Sequence, residues 1–466
     1  MKLYETLAAE IEGLVAQGVL RPGEKLPSVR AQQERRGVSP STVFQAYYQL
    51  EAKGVIQSRP RSGYFVAARR APPEPEVSRP DAASTAVDVS SLVFQVLDAS
   101  RAPGMVPFGS AFPSPLLFPL EKLARSVSNS MRLIDPWSTV ADLPPGNAEL
   151  RRQIALRYQL DGAPVAADDI IITNGALEAL NLCLQAVARP GDTVLVESPS
   201  FYAALQSLER LELKAVEVAT HPREGMDLGA LAQALDQHKP KACWLMTSFQ
   251  NPLGSLMPPE KKQALVTLLA QHGVPLIEDD VYGELYFGAH RPALAKRYDS
   301  EGIVMHCSSF SKCLAPGFRV GWAAPGRYAR AVERLKLTTS LAAAMPSQLA
   351  LADYLGQGGY ERHLRQLRVV LERQRDRMLD AIATHFPAGT RVTRPQGGYF
   401  LWVELPAGSD ALALHARALA EGISIAPGPM FSAKRDYAHC IRLNYGHLWD
   451  ATHESALSTL GHLAHS

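Results

Sequence analysis

The stretch Ser308-Ser309-Phe310-Ser311-Lys312-Cys313-Leu314-Ala315-Pro316-Gly317-Phe318-Arg319-Val320-Gly321 sets a lysine behind serines and between two apolar runs. Ile303-Val304-Met305-His306-Cys307 precedes it, and the second run follows Arg319. The pattern predicts a strand, a tight turn carrying Lys312 and a returning strand. A lysine held between buried strands is partly desolvated, which disfavours the ammonium and leaves a free amine as nucleophile. Such an amine can form a Schiff base with an aldehyde cofactor. Ser309, Ser311 and Arg319 bring the donors that a phosphate requires. A surface turn with an ordinary solvated lysine has the same residues, so the stretch needs support from elsewhere in the chain.

That support lies at the ends of other apolar runs. Ile170-Ile171-Ile172, Val194-Leu195-Val196, Ala242-Cys243-Trp244-Leu245-Met246, Val274-Pro275-Leu276-Ile277 and Ile303-Val304-Met305 are short, and helical segments separate most of them. Runs of this kind predict a mostly parallel α/β sheet with ligands gathered at the carboxyl ends of its strands. After the first run, Gly175 lets backbone approach a ligand, and the helix that follows, from Ala176, offers free N–H groups to a phosphate. After the second, Phe201 is an aromatic for stacking on a planar ring, or for the core. After the third, Asn251 in a proline turn is a donor to a phenolate oxygen, or a turn asparagine. After the fourth comes Glu278-Asp279-Asp280-Val281-Tyr282; acidic groups directly behind a buried run are costly unless paired, and a pyridinium nitrogen is one such pair. Group by group, the inventory matches pyridoxal 5′-phosphate.

The front of the chain differs in character. Residues 1–70 hold 11 Lys and Arg against 6 Asp and Glu, and the remainder 37 against 40. A basic module on a mildly acidic body points to an anionic partner for the N-terminus alone. Leu3, Leu7, Ile11, Leu14 and Val15 predict a helix over 3–17, stopped by Gly18. A second, short helix covers Ser28–Arg36 and ends at Gly37. Ser39 as N-cap and Pro40 at the first position start a third, with Val43, Ala46, Tyr47 and Leu50 inward. Val55–Ser58 and Gly63–Val66 read as strands around Arg59-Pro60-Arg61-Ser62. This is a winged helix that delivers residues 39–53 to the major groove of double-stranded DNA. Ser39, Ser41, Thr42 and Gln45 stand at the leading end, while Arg30, Arg35, Arg36, Lys53, Arg59 and Arg61 reach phosphates. A helical protein-interaction module with a solvated basic face has the same outline. Leu26-Pro27-Ser28-Val29-Arg30, Gly37-Val38-Ser39-Pro40-Ser41-Thr42-Val43 and Ser62-Gly63-Tyr64-Phe65-Val66 resemble the GntR-family DNA-binding domain over residues 3–67. Ala31-Gln32-Gln33-Glu34-Arg35 departs from the apolar, alanine-bearing helix more usual there.

Residues 68–88 carry Pro72, Pro73, Pro75 and Pro80 without apolar periodicity, which predicts a partly stiff linker that leaves the winged helix free to sit in different places. Helices rich in Arg and Leu over about 347–385, a strand after Gly397-Gly398 and a loop, Ile425–Phe431, placed to close over a ligand make up a smaller C-terminal domain. The composition, 46% hydrophobic and 20% charged, is globular. No apolar run reaches about 18 residues, so no membrane span is expected, and the first residues are amphipathic rather than a signal peptide. Five cysteines without a C-x-x-C pair imply a reducing cytoplasm and no structural metal.

Over roughly 90–466 the site residues are similar to those of fold-type I aminotransferases. The resemblance implies Lys312 as the Schiff-base lysine and Asp279 as partner of the pyridine nitrogen, in a D-x-x-Y pattern with Tyr282. It implies Asn251 and Tyr282 on the cofactor's 3-oxygen, Phe201 against the ring, and Gly175, Ala176, Ser309 and Arg319 as the phosphate cup. Lys312, Asp279 and Tyr282 form the catalytic set. Arg442 resembles the arginine that grips a substrate carboxylate by a two-pronged contact. Two features depart from relatives: no tyrosine occurs in Trp137–Gly146, where many place one that reaches the partner subunit's phosphate, and Glu178 replaces another residue beside a helix N-terminus. A winged helix (1–67), a Pro-rich linker (68–88) and an aminotransferase-like body (89–466, with a large part at about 130–340 and a small α/β part at about 341–466) are the MocR arrangement. The resemblance implies a cytoplasmic, homodimeric, DNA-binding transcription regulator. It senses a small amine, an amino acid or pyridoxal phosphate itself through a Schiff base at Lys312. The alternative is a working amino acid aminotransferase with a DNA-binding appendage.

Overall fold

The computed structural model describes residues 2–465 apart from 18, 22, 60, 61, 68–71, 101, 103, 133 and 138–142. Gly18, Arg61 and half of the tyrosine-free stretch (138–142) therefore lie outside the described residues. At the front, α1 (Leu3–Ala16), α2 (Val29–Arg36) and α3 (Pro40–Ala52) follow the spacing read above. Local chemistry sets their ends. The Ser28 hydroxyl accepts from the Ala31 amide at 3.2 Å and the Ser39 hydroxyl from the Thr42 amide at 3.1 Å. Each satisfies an amide that the first turn of a helix leaves without a partner. Gly37 ends α2 at φ 64°, which glycine adopts without strain. Val43, Ala46, Tyr47 and Leu50 of α3 are fully buried in one cluster with Leu7 and Ile11 of α1. Strands β1 (Ile56–Arg59) and β2 (Gly63–Val66) pair antiparallel, Ile56 opposite Val66, and form the wing.

In the body, Ile171–Thr173, Ala242–Leu245, Leu276–Asp279, Val304–Ser309 and Gly321–Ala324 are buried at every position. Strands covered on both faces carry continuous apolar runs rather than alternation. The sheet runs in the order Thr85–Ala86, Lys214–His221, Thr193–Ser198, Ala242–Leu245, Leu276–Asp279, Val304–Ser309, Gly321–Ala324, Ile171–Thr173. From Lys214–His221 to Val304–Ser309 the neighbours are parallel, while Gly321–Ala324 is antiparallel to both of its own. The reversal lies at the lysine: the chain leaves Val304–Ser309, turns through Lys312 and the short 3-10 turn Pro316–Phe318, and returns. A smaller antiparallel sheet orders Arg391–Val392, Phe400–Glu404, Cys440–Asn444 and Ala426–Pro427. Val106–Pro107 pairs with Ile423–Ser424, which brings the segment at 106–114 to the junction of the two parts. The loop Ile425–Phe431 is buried there rather than hanging open.

The partly stiff linker, expected to leave the winged helix free, is instead fastened along the body. The Glu74 amide donates to the Ala52 carbonyl at 2.8 Å, and its buried carboxylate pairs with Arg223. The Arg223 guanidinium also lies 3.6 Å from Glu51 and 4.1 Å from the Tyr48 ring centre. Arg394 donates to the carbonyls of Glu51 at 2.7 Å and Pro72 at 2.9 Å. Further on, the Ser78 amide donates to the Thr220 carbonyl, the Thr220 amide returns a bond to the Ser78 hydroxyl, and Thr85–Ala86 becomes an edge strand. Main-chain bonds and buried charge hold this segment, and neither leaves an apolar period. No helix among the described residues is long and apolar enough to cross a membrane.

Candidate cofactor and ligand site

Strand ends bring the predicted residues of the body together. Lys312 Nζ donates to the Ala111 carbonyl at 2.9 Å and lies 3.6 Å from the Phe112 ring centre. Burial, reinforced by the charges of Arg442 and Arg319 and opposed by Asp279, holds its amine down at about 7. A large share of Lys312 is therefore uncharged and nucleophilic near neutral pH.

The next strand delivers three carboxylates into three different settings. Glu278 accepts from the Thr247 hydroxyl at 2.7 Å and from the Ala295 and Lys296 amides at 2.8 and 3.1 Å. Asp280 meets Arg291 at 2.6 Å and His306 at 3.4 Å; against the effect of burial, Arg291 and then His306 hold it down at about 2. Asp279 accepts from the Val281 amide, but its Oδ1 has no hydrogen-bond partner among the described residues. Burial and the neighbouring Asp280 push the Asp279 carboxyl up to about 7.

Arg442, fully buried, donates to Asn251 Oδ1 at 3.0 Å and to the carbonyls of Gly109 at 2.6 Å and Ser110 at 3.2 Å. Its guanidinium stacks 4.2 Å from the Phe400 ring centre. Asn251 Nδ2 has no partner among the described residues. The Tyr282 ring packs edge-on to Tyr399 and Phe400, and burial raises its phenol. Phe201, half-buried, sits 4.8 Å from Tyr202, whose hydroxyl is hydrogen-bonded to Arg442.

At the opposite end, Gly175 caps the helix Ala176–Val187 at φ 88° and ψ 169°. Arg319 donates to the Asn174 carbonyl at 3.1 Å and to the Ser311 hydroxyl at 3.3 Å, and Ser309 Oγ accepts from the Ser311 amide. A Cβ on residue 175 would lie 2.5 Å from an Arg319 nitrogen. Gly175→Ala is therefore expected to lower stability by about 1–3 kcal/mol in urea unfolding, through backbone strain. It should also weaken binding of pyridoxal phosphate, by moving Arg319. The unusual Glu178 is occupied elsewhere: it accepts from the Asn174 amide at 2.6 Å and pairs with Lys336 at 3.0 Å.

These residues fit pyridoxal 5′-phosphate. Among the described residues a buried carboxylate oxygen and a buried amide nitrogen lack partners, the Lys312 amine feels the charges of Asp279 and Arg442, and an arginine–serine–glycine end suits a phosphate. Tyr202, Tyr399 and the carbonyls of Gly109–Ala111 also line the site, and the sequence reading passed over them. Tyr202 directly follows Phe201, but a carbonyl has no residue type to betray it. No group of His, Cys, Asp or Glu placed to hold a metal occurs among the described residues.

On the winged helix, Ser39, Ser41 and Thr42 share hydroxyl contacts of 2.8 Å, so the predicted leading-end hydroxyls are bonded to one another. Arg30 is exposed and pairs with Glu34, Arg59 lies over the Phe65 ring at 4.4 Å, and Gln45 is exposed.

Residues 138–460 match the model of aminotransferase class I and II, and residues 3–66 match the gntR family of bacterial regulatory proteins. The chain is 50% identical over 465 residues to the uncharacterized HTH-type transcriptional regulator YdcR of Escherichia coli, covering 99% of both. It is 33% identical over 365 residues to the 2-aminoadipate transaminase of Thermus thermophilus, covering 77% of this chain and 90% of that one. The structure of LysN, the α-aminoadipate aminotransferase of Thermus thermophilus complexed with N-(5′-phosphopyridoxyl)-L-leucine, matches with a TM-score of 0.73. Its identity is 31%, over 82% of this chain and 95% of LysN. With a fold-type I body at the back and a helix-turn-helix at the front, this chain belongs to the aminotransferase class I and II family and is a GntR-type transcription regulator of the MocR architecture.

Proposed function

We propose that the body holds pyridoxal 5′-phosphate at Lys312 and uses it to sense a small amine, an amino acid or the cofactor itself on behalf of the winged helix. The observation that carries this reading is a buried amine, Lys312, held near 7 within the electrostatic influence of Asp279, a buried carboxylate whose Oδ1 has no hydrogen-bond partner among the described residues. Bound there, the group supplies an aldehyde that exchanges one amine for another and a ring nitrogen that withdraws electrons. Asp279 would pair with that nitrogen. Asn251 Nδ2 and the Tyr282 hydroxyl would donate to the 3-oxygen, and Phe201 would cover the ring. The amides of Gly175 and Ala176, with Ser309, Ser311 and Arg319, would take the phosphate. Arg442 would receive a ligand carboxylate once it releases the Gly109 and Ser110 carbonyls. Lys312, whenever the aldehyde is held by another amine, would be free to hold a proton there. A homodimer presenting two winged helices to paired half-sites completes the reading. Adding pyridoxal phosphate to the apo protein and removing the unbound cofactor by gel filtration tests it: an absorption band that stays with the protein supports it, and a colourless protein overturns it.

One loop supports a route from pocket to linker. The Phe431 carbonyl accepts from the Ser200 amide, beside Phe201, and the Tyr437 hydroxyl lies 2.6 Å from Ser198 Oγ. Between them, Lys434 bonds Asp81 at 2.8 Å and Arg435 bonds the Asp88 carbonyl at 2.9 Å. Signalling requires that ligand favour one of two arrangements of such an element. In wild-type protein, loading with pyridoxal phosphate should slow hydrogen exchange of residues 72–88 by about five-fold or more. Lys434→Ala with Arg435→Ala should reduce that response to under about two-fold while leaving the absorption band intact.

The second reading, transamination, is favoured by the intact Arg442 with its aromatic platform. Rapid, repeated conversion of amino acids to oxo acids by a protein that leaves no specific DNA footprint would make it the correct one.

A further inference from the structure

We infer that Phe44 and Gln45 are the base-reading pair of the winged helix, with Phe44 meeting the 5-methyl of a thymine and Gln45 an adenine beside it. This rests on the DNA-binding reading of the front domain. Along α3, Val43, Ala46, Tyr47 and Leu50 face the core. Tyr48 and Glu51 are engaged with the body, through Glu224 at 3.3 Å and Arg223 at 3.6 Å. Ser39, Ser41 and Thr42 are tied into the network that caps the helix, which leaves their spare capacity for phosphates. On the leading half, that leaves Phe44 and Gln45.

Phe44 is 54% exposed and lies outside the domain's core cluster. A lone exposed phenylalanine on an arbitrary surface needs no explanation. This one stands on the half of the helix that a helix-turn-helix presents to base edges, next to an exposed glutamine, in a domain that also exposes Arg30, Arg35 and Arg59. In the major groove the thymine methyl is the apolar feature, and a glutamine amide matches adenine N6 and N7. The geometry therefore favours a site with a T·A pair at a fixed place over one built on guanines read by arginine.

The test is selection of bound duplexes from a random pool by the full-length protein, followed by deoxyuridine substitution. Enriched half-sites should share a thymine, and removing its methyl as deoxyuridine should weaken wild-type binding by about four-fold, the effect of one buried methyl group. Phe44→Ala should be indifferent to the same change, and Gln45→Ala should relax the neighbouring adenine. Equal binding of thymidine and deoxyuridine sites by wild type, or an unchanged motif for Phe44→Ala, overturns the inference alone. A pool from which nothing is enriched overturns the DNA-binding reading and this inference with it.

Discussion

After borohydride reduction and gel filtration, wild-type protein mixed with pyridoxal phosphate will carry close to one covalent adduct per chain, and Lys312→Ala will carry none. The amine reacts only when unprotonated, and its value of about 7 fixes the direction of the pH dependence. The initial rate of capture should fall about ten-fold from pH 8 to pH 6, as a proton occupies most of the Lys312 amines. Other deeply buried lysines are poor substitutes. Lys262 already donates to Ser248 at 2.8 Å and to the Ala293 carbonyl at 2.7 Å, and Lys336 is paired with Glu178. Peptide mapping that finds the reduced adduct on any lysine except Lys312 would overturn the assignment. A fall of about 100-fold between pH 8 and pH 6 would show instead that Lys312 is an ordinary solvated lysine, and a flat rate that its amine holds no proton anywhere in that range.

Asp279→Asn should act in opposite directions on the apo and loaded protein. In the apo protein, burial and Asp280 raise the carboxyl from the ordinary range to about 7. The folded state therefore binds a proton that the unfolded chain has lost, and stability falls as pH rises from about 4 to about 7. Asparagine removes that penalty. The variant should gain on the order of 2–4 kcal/mol in urea unfolding at pH 8 and almost nothing at pH 4. The loaded protein should suffer instead, because a buried cation loses its counter-charge. Leaving one member of a buried pair alone costs about 3 kcal/mol or more, so pyridoxal phosphate should bind about 100-fold more weakly. Unchanged affinity together with unchanged stability would mean that Asp279 faces neither a cation nor a dry core.

What the sequence disclosed, and what it withheld, follows from the kinds of force involved. The helices of the winged helix were legible because Ser28, Ser39, Pro40 and Gly37 act on backbone within one turn, and because four apolar residues of α3 share one face. The pocket was legible because strands buried on both faces have continuous apolar runs, and chemistry sits where these stop. Asp279 was marked by its place behind such a run, and only the D-x-x-Y resemblance with Tyr282 set it apart from Glu278 and Asp280. The physical difference lies in Thr247, Arg291 and His306, which occupy the other two carboxylates and come from other strands and loops. The fastening of residues 72–88 was hidden for the same reason: Glu74 finds Arg223 about 150 positions away, and no local period records the pairing. The carbonyls of Gly109 and Ser110, which occupy Arg442, are backbone groups that every residue possesses.

The half-buried meeting of Tyr48, Glu51, Arg223 and Arg394 around the buried Glu74 has a practical consequence for anyone recombining such chains. Head and body fit as key and lock. Grafting a foreign reader onto this trunk, even with an identical spacer that keeps Glu74, deprives Arg223 of Glu51 and the Tyr48 ring. Successful chimeras should be those that transplant that five-residue handshake intact.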